Sequence, residues 1–256
     1  MIVFSNRWGI RYREVWFDEL VTGGQDIVVG CQRIGCPQGA KLTPFHTLVI
    51  DLGLPPEDIF KAFNEGTRYE VRRAEKSDGL AFEFDIEPQM HLNAFCIFYD
   101  AFAKMKGLSP ARVEHFWRYA DAGHLLLTRI VKDDEPLVWH AYICAAGRAR
   151  LLHSASLFRE QDNARRNLIG RANRYLHWLD ILAFKDRGYR LYDFGGWSSP
   201  ELGDVEKLRI NAFKEGFGGR LVSEFNCTYP TSAKGQLMLY AKQMKTMWQQ
   251  TRAGKR

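Results

Sequence analysis

Between Gly188 and Gly219 the chain reads GYRLYDFGGWSSPELGDVEKLRINAFKEGFGG, which sets backbone-permissive glycines beside ionisable side chains. Gly195 and Gly196 follow Asp193 closely, and only glycine lets a backbone turn sharply or lie flat against a ligand. Gly195 and Gly196 are therefore expected to line a pocket, with Asp193 able to accept or relay a proton. Arg165, Arg166, Arg171 and Arg174 gather around Gly170. If a helix starts there, its open N–H groups and dipole favour phosphate, and guanidinium adds planar, charge-assisted hydrogen bonds. Arg165, Arg166, Gly170 and Arg171 are thus candidates for binding the phosphates of a donor. In a third group, Arg68 to Arg72 and Arg72 to Lys76 are each four residues apart, so with Arg73 they form a cationic edge on a helix. Bound anion or solvent would each relieve the repulsion along that edge. Arg72 and Arg73 are candidates for an anionic acceptor. His153, in HSAS, has the side chain suited to moving protons near neutral pH. A strand-end aspartate also caps turns and a histidine also packs in cores, so both readings stay open for Asp193 and His153. His177, next to Trp178 in a helical stretch, reads as packing.

The elements that must position these groups are legible from periodicity. Ile10 to Phe17 and Ile27 to Cys31 read as strands, joined across Thr22-Gly23-Gly24 as a hairpin. Leu42 to Phe45, holding Pro44, reads as a loop, and Thr47 to Leu52 as a strand. Pro55-Pro56 opens a helix to about Glu65, and the arginine run continues as a second. After a strand at Ala81 to Ile86, a helix from Gln89 to Lys106 carries an aromatic stripe expected in the core. Ser109-Pro110 predicts another helix to Asp121. Three meandering strands follow at Leu125 to Val131, Leu137 to Ala145 and Ala149 to Ser154. A polar loop from Arg159 to Asn167 leads to a helix ending near Arg187, then a strand at Arg190 to Phe194. After the polar link Trp197 to Gly203, Asp204 caps a helix that glycines stop at Gly216, with Lys214 in its last turn. Arg220 to Tyr229 is a last strand. Gln236 to Gln250 places Leu237, Tyr240, Ala241, Met244, Met247 and Trp248 on one helical face, expected to pack back on the domain, with membrane-surface or RNA contact the other readings.

Composition limits the function classes. The 256 residues suffice for one large domain or two small ones, and a 46% hydrophobic fraction supports a sizeable core. Five scattered cysteines argue against a disulfide framework, and no metal site is expected. No apolar run reaches the roughly 18 residues of a membrane span, and Met1 to Ile10 does not read as a leader, so a cytoplasmic location is expected. A net charge of +6 favours an anionic partner without naming it. No G-x-S-x-G, P-loop or complete dinucleotide fingerprint is present, which argues against an acyl-enzyme and for direct attack.

YDFGG, an acid-capped helix and FKEGFGG, with TLVIDLGLPPEDIFKAFNEGTRYEVRRAEKSDGLAFEF upstream, resemble the Fem-type peptidyltransferases and their relatives in the GNAT superfamily. The resemblance implies an α/β (α+β) fold with a GNAT-like mixed central sheet flanked by helices. Residues 1–88 would be a truncated first GNAT-like half, 89–235 the acyltransferase domain, and 236–256 a C-terminal helix and basic tail. In that fold the sheet splays after its fourth strand, and the donor sits in the wedge. The implied activity is an N-acyltransferase moving an aminoacyl group from aminoacyl-tRNA, or an acyl group, to a primary amine on a small molecule or peptide. Lys214, preceded by Phe213, matches the family's lysine implicated in stabilising the tetrahedral oxyanion; alone it would read as complementing the helix dipole. Phe213 is placed with Gly195 and Gly196 on the acceptor side. The GNAT acyl-CoA signature is only nearly met by Asn167-Leu168-Ile169-Gly170-Arg171-Ala172, where Asn stands for Gln or Arg. No tightly bound cofactor and no DNA partner are expected; tRNA or acyl-CoA enters as co-substrate, and peripheral membrane contact is compatible. An acyl-CoA-dependent acetyltransferase of amino sugars or small metabolites, and a noncatalytic RNA- or membrane-binding module, are the alternative readings.

Overall fold

A computed structural model describes residues 2–19, 23–85, 87–157, 162–199 and 204–253. Thr22, residues 159–161 of the polar loop, 200–203 of the polar link and the last basic residues Lys255 and Arg256 lie outside the described residues. By contact density the chain divides into two units, Met1–Phe45 with Ser223–Arg256, and His46–Val222.

The smaller unit holds β1 (Ile2–Arg7), β2 (Ile10–Trp16) and β3 (Ile27–Arg33). β1 and β2 form an antiparallel hairpin, but β2 and β3 run parallel, Tyr12 opposite Ile27 and Trp16 opposite Cys31. The glycines therefore do not make a hairpin. Asp26 explains why: its carboxylate accepts the Arg11 backbone N–H at 2.9 Å and its own N–H donates to the Arg11 carbonyl, which returns the chain to the start of β2 before β3 begins. The residues expected to loop at Leu42 to Phe45 instead belong to β4 (Lys41–Asp51). Proline's φ fits extended backbone, and a strand is interrupted only where the missing N–H is needed by a ladder.

The larger unit continues with the short α1 (Pro56–Lys61), α2 (Glu65–Ser77) and β5 (Ala81–Asp85). The first helix, expected to run to about Glu65, stops at Lys61, and Asn64 caps α2 through the Thr67 N–H. α3 (Leu92–Lys106) buries Leu92, Phe95, Phe98 and Tyr99, as the stripe predicted, and ends at left-handed Gly107. α4 (Val113–Asp121) starts later than Ser109-Pro110 predicts, and the Ala111 N–H that precedes it donates to the Asp100 carboxylate. The meander is β6 (Leu125–Lys132), β7 (Glu135–Ala145) and β8 (Arg148–Ser156), followed by α5 (Asn163–Asp186), β9 (Leu191–Trp197) and α6 (Val205–Glu215).

In this unit the strand order is β4-β9-β8-β7-β6-β5, antiparallel throughout except for β8 and β9. Leu137 to Ala145 of β7 is buried at every position, as befits a central strand covered on both faces. α5 supplies Ile169, Ala172, Leu176, Ile181 and Phe184 to the core. The expected mixed α/β architecture with a large sheet flanked by helices is present. β10 (Arg220–Pro230) pairs antiparallel with β3 through Phe225 to Pro230, and α7 (Ala233–Ala253) closes the described chain. Among the described side chains of α7 Gly235 is the buried one, its Cα set against the Asp26 carbonyl where a Cβ would stand 2.0 Å from the oxygen, while Leu237, Tyr240 and Met244, expected to pack back, are exposed. Among the described residues no helix is long and apolar enough to cross a membrane.

Candidate functional site in the larger unit

β8 and β9 are parallel neighbours for three residue pairs only, Arg148 with Leu191, Ala149 with Tyr192 and Arg150 with Asp193. Beyond those pairs β8 continues to Ser156 beside β7 and β9 to Trp197 beside β4 without pairing with each other, so the sheet opens as a wedge between β8 and β9. Gly195 and Gly196 line β9 there, inside the strand and not in a turn after it. Gly195 has φ +71°, and a Cβ would come 2.8 Å from the Leu151 carbonyl oxygen, so no other residue fits.

Asp193 is fully buried. One carboxylate oxygen accepts from Arg148 at 2.8 Å (Nε) and 2.6 Å (Nη2); the other accepts from Thr47 Oγ1 and, at 2.7 Å, from the Gly195 N–H. Thr47 and Arg148 were not singled out in the sequence. Their partner is remote in the chain, and only the β4-β9-β8 register brings them together. This cluster fixes the backbone of Gly195.

Lys214 rides in the last turn of α6, whose N-cap is Asp204 as its sequence predicts. Its ammonium is nearly buried and donates to the Gly195 carbonyl at 3.4 Å and to the Gly196 carbonyl. Burial, with the Arg150 guanidinium nearby and Asp193 opposing, lowers its pKa from 10.5 to about 8. Arg150 also flanks Gly195, its Nη2 3.5 Å from where a Cβ would stand. The wedge thus gathers Asp193, Gly195, Gly196, Lys214 and Arg150, the last with no motif to flag it.

A second feature lies between α2 and α5, a cleft of about 540 Å³ lined by Arg73, Arg166, Asn167, Arg171 and Arg174, with Glu70 and Gly170. It joins one arginine of the expected acceptor pair to the expected phosphate group. Arg72 instead faces Phe60, 5.3 Å from the ring centroid. α5 begins at Asn163, so Gly170 and Arg171 sit inside the helix and not at open N–H groups; Asp162 caps the start through the Arg165 N–H. Arg171 is buried and bonds both Asp78 oxygens at 2.6 and 2.9 Å, and Arg165 pairs with Glu135. Arg166 and Arg73 are exposed in the cleft. Arg174 places its guanidinium 5.0 Å from the Phe213 ring centroid, which brings the cleft to the residue before Lys214.

His153 packs its ring on Tyr99 at 4.5 Å and Phe116 at 5.4 Å, and burial, with the Arg150 guanidinium adding to it, lowers its pKa to about 4. His177 is buried, packed at tilted and edge-on angles against Phe194, Phe213 and Phe217, and bonded to the Tyr192 hydroxyl at 2.6 Å. From there a buried polar chain continues through Tyr142 to Asp180, His140 and Asn173. Desolvation raises both tyrosines well above the usual phenol range and holds His177 far below its ordinary value, so these groups stay neutral. The chain anchors α5 to β7 and β9 behind the wedge. Among the described residues no group of three or more His, Cys, Asp or Glu is placed to hold a metal ion.

No family model matches the chain, and no curated protein matches it. Solved structures do. The chain is similar to FemX with a TM-score of 0.58 at 14% identity, over 71% of this chain and 61% of that one, so it matches less than two thirds of that relative's length. It is similar to the C-terminal domain (DUF2156) of a putative lysylphosphatidylglycerol synthetase from Agrobacterium fabrum, with a TM-score of 0.53 at 13% identity over 93% of this chain and 83% of that one. L-PGS from Bacillus licheniformis gives 0.53 at 12% identity over 94% and 84%. The expected Fem-like resemblance is thereby found in the fold.

Proposed function

We propose that the protein is an acyltransferase of Fem type that moves an aminoacyl or acyl group onto a primary amine by direct attack. The observation that carries this reading is the Lys214 ammonium, held by the Gly195 and Gly196 carbonyls in the wedge between β8 and β9. Two of its three hydrogens meet those carbonyls, and the third serves the acyl oxygen as it gains charge in the tetrahedral intermediate. A pKa of about 8 keeps the group cationic at neutral pH while making it a better proton donor than an ordinary lysine. Asp193 positions: with both oxygens taken by Arg148, Thr47 and the Gly195 N–H, it fixes the glycine backbone that receives Lys214. His153, neutral and packed among rings, supports the strand end. The amine's proton then leaves through solvent or the donor.

The arginine-lined cleft would take the anionic donor. Arg73, Arg166 and Arg174 contact phosphate, Arg171 braces α5 through Asp78, and Arg165 stays with Glu135 at the rim. An aminoacyl-tRNA donor is favoured by the shared fold with proteins named FemX and lysylphosphatidylglycerol synthetase, the second name denoting a lysyl-bearing product. The test is equilibrium binding of labelled aminoacyl-tRNA, challenged with deacylated tRNA and with acetyl-CoA. Retention that prefers charged tRNA and ignores acetyl-CoA supports the reading. Displacement by acetyl-CoA moves the protein to the coenzyme A branch.

A further inference from the structure

Leu237, Tyr240 and Met244 on the apolar stripe of α7 are exposed, and the proposed chemistry does not use them. Leu237, Tyr240, Ala241, Met244, Met247 and Trp248 fall within about 120° of the helix circumference. Leu237 is 69% exposed, Tyr240 61% and Met244 48%. Large apolar side chains aligned in this way, in contrast to singly scattered ones, mark a surface built to be covered.

What covers it is indicated by charge. From Ala233 to Ala253 the helix carries Lys234, Lys242, Lys245 and Arg252 and not one acidic residue. By helical register Lys234 and Lys245 border the stripe. A basic, amphipathic helix of this kind with tyrosine, methionine and tryptophan on its apolar side suits the interface plane of an anionic bilayer, where ammonium groups meet lipid phosphates and their stems lie over acyl chains. A second copy would bring like charges together beside the buried stripe, whereas anionic headgroups neutralise them, and RNA would not need the stripe.

A second observation in the same unit points the same way. Lys234 Nζ donates to the Gly9 carbonyl at 2.6 Å, which sets the β1–β2 turn beside the first turn of α7. At that turn Trp8 is 76% exposed, in a left-handed backbone with φ 53°, and the Arg7 guanidinium lies 4.4 Å from its ring centroid. An exposed tryptophan with an arginine on its face is the pairing expected of an interfacial anchor, the ring at headgroup depth and the cation at phosphate.

We infer that α7, with Trp8 at its start, docks this protein on the surface of an anionic lipid bilayer. The test is co-sedimentation of the full chain with vesicles of phosphatidylcholine alone or with roughly one-third phosphatidylglycerol, across a salt series. Wild type should partition onto the anionic vesicles at least about ten-fold better than onto neutral ones, with the preference shrinking as salt rises. Leu237→Glu with Met244→Glu should lose about ten-fold or more of that partitioning with circular dichroism unchanged, and Trp8→Ala should lose a smaller part. Should the double variant unfold, Lys242→Glu with Lys245→Glu, which changes charge and leaves the apolar residues in place, supplies the second reading by reducing the anionic preference alone. Equal binding to both vesicle types, or none, overturns the inference. So does binding of a single-stranded RNA oligonucleotide that survives the double variant while vesicles are ignored, or a dimer in wild type that the double variant converts to monomer without any vesicle binding.

Discussion

The guanidinium of Arg174 lies 5.0 Å from the ring centroid of Phe213, the residue before Lys214, and this contact is what ties the arginine-lined cleft to the wedge. Burial lowers the Arg174 pKa, yet the group stays charged at any working pH, so it reaches the inner end of the cleft as a desolvated cation. Replacing Arg174 by Ala should raise the KM for the donor about ten-fold or more and also lower kcat, because the donor and Phe213 both lose a support. Arg174→Lys keeps the charge but not the planar stack and should recover less than half of the loss in free energy. An effect on KM alone, fully restored by lysine, would show that only charge matters.

Lys214 makes a pH prediction with a definite sign. It is cationic below a pKa of about 8 and loses its proton above it. If the cation meets the oxyanion, kcat falls as pH rises through about 8, and Lys214→Arg, which stays charged, moves that limb upward. A kcat that rises through the same value would make the lysine a base instead.

Two of the three expected phosphate arginines, Arg166 and Arg171, should separate by experiment. Arg171→Ala strands a buried Asp78 and should cost on the order of 3–5 kcal/mol of stability, read by denaturant midpoint. Arg166→Ala should leave the midpoint unchanged within error while weakening donor binding and flattening its salt dependence by about one counterion. Loss of stability in Arg166→Ala, or none in Arg171→Ala, would reverse these roles.

His153 should contribute to acid sensitivity. Its folded pKa of about 4 lies below the model-peptide value of 6.5, so the unfolded chain binds the extra proton first. The contribution is intact above about 6.5 and is lost as pH falls through about 4, up to on the order of 3 kcal/mol. His153→Phe, which keeps the ring against Tyr99 and Phe116, should flatten the stability profile in that window. An unchanged profile would show the imidazole to be solvated.

What could be read in advance was local. Asp204 as cap, Lys214 three turns later and the stopping glycines are consecutive signals within one helix, and the structure keeps them. The aromatic stripe of α3 was legible for the same reason. The partners were not: Asp78 meets Arg171 across 93 residues and Thr47 meets Asp193 across 146, distances that only strand register and helix packing close. Arg150 gained its place through three residue pairs of parallel sheet, and no motif announces that. The start of α5 was displaced because Asp162, a capping residue inside a polar run, looks like any other loop aspartate. The parallel pairing of β2 and β3 hinges on Asp26 returning to Arg11, a contact that glycine spacing does not encode.

The central claim is that Lys214 stabilises the charge that develops during transfer, and single-turnover transfer measures it most directly. Wild type and Lys214→Ala would be mixed in excess with labelled aminoacyl-tRNA and a primary amine, with donor binding measured in parallel. The account predicts labelled amide from wild type and a rate about 10²- to 10³-fold lower in the variant, with donor affinity within about three-fold. Equal losses of rate and affinity, or transfer by the variant at the wild-type rate, would contradict it.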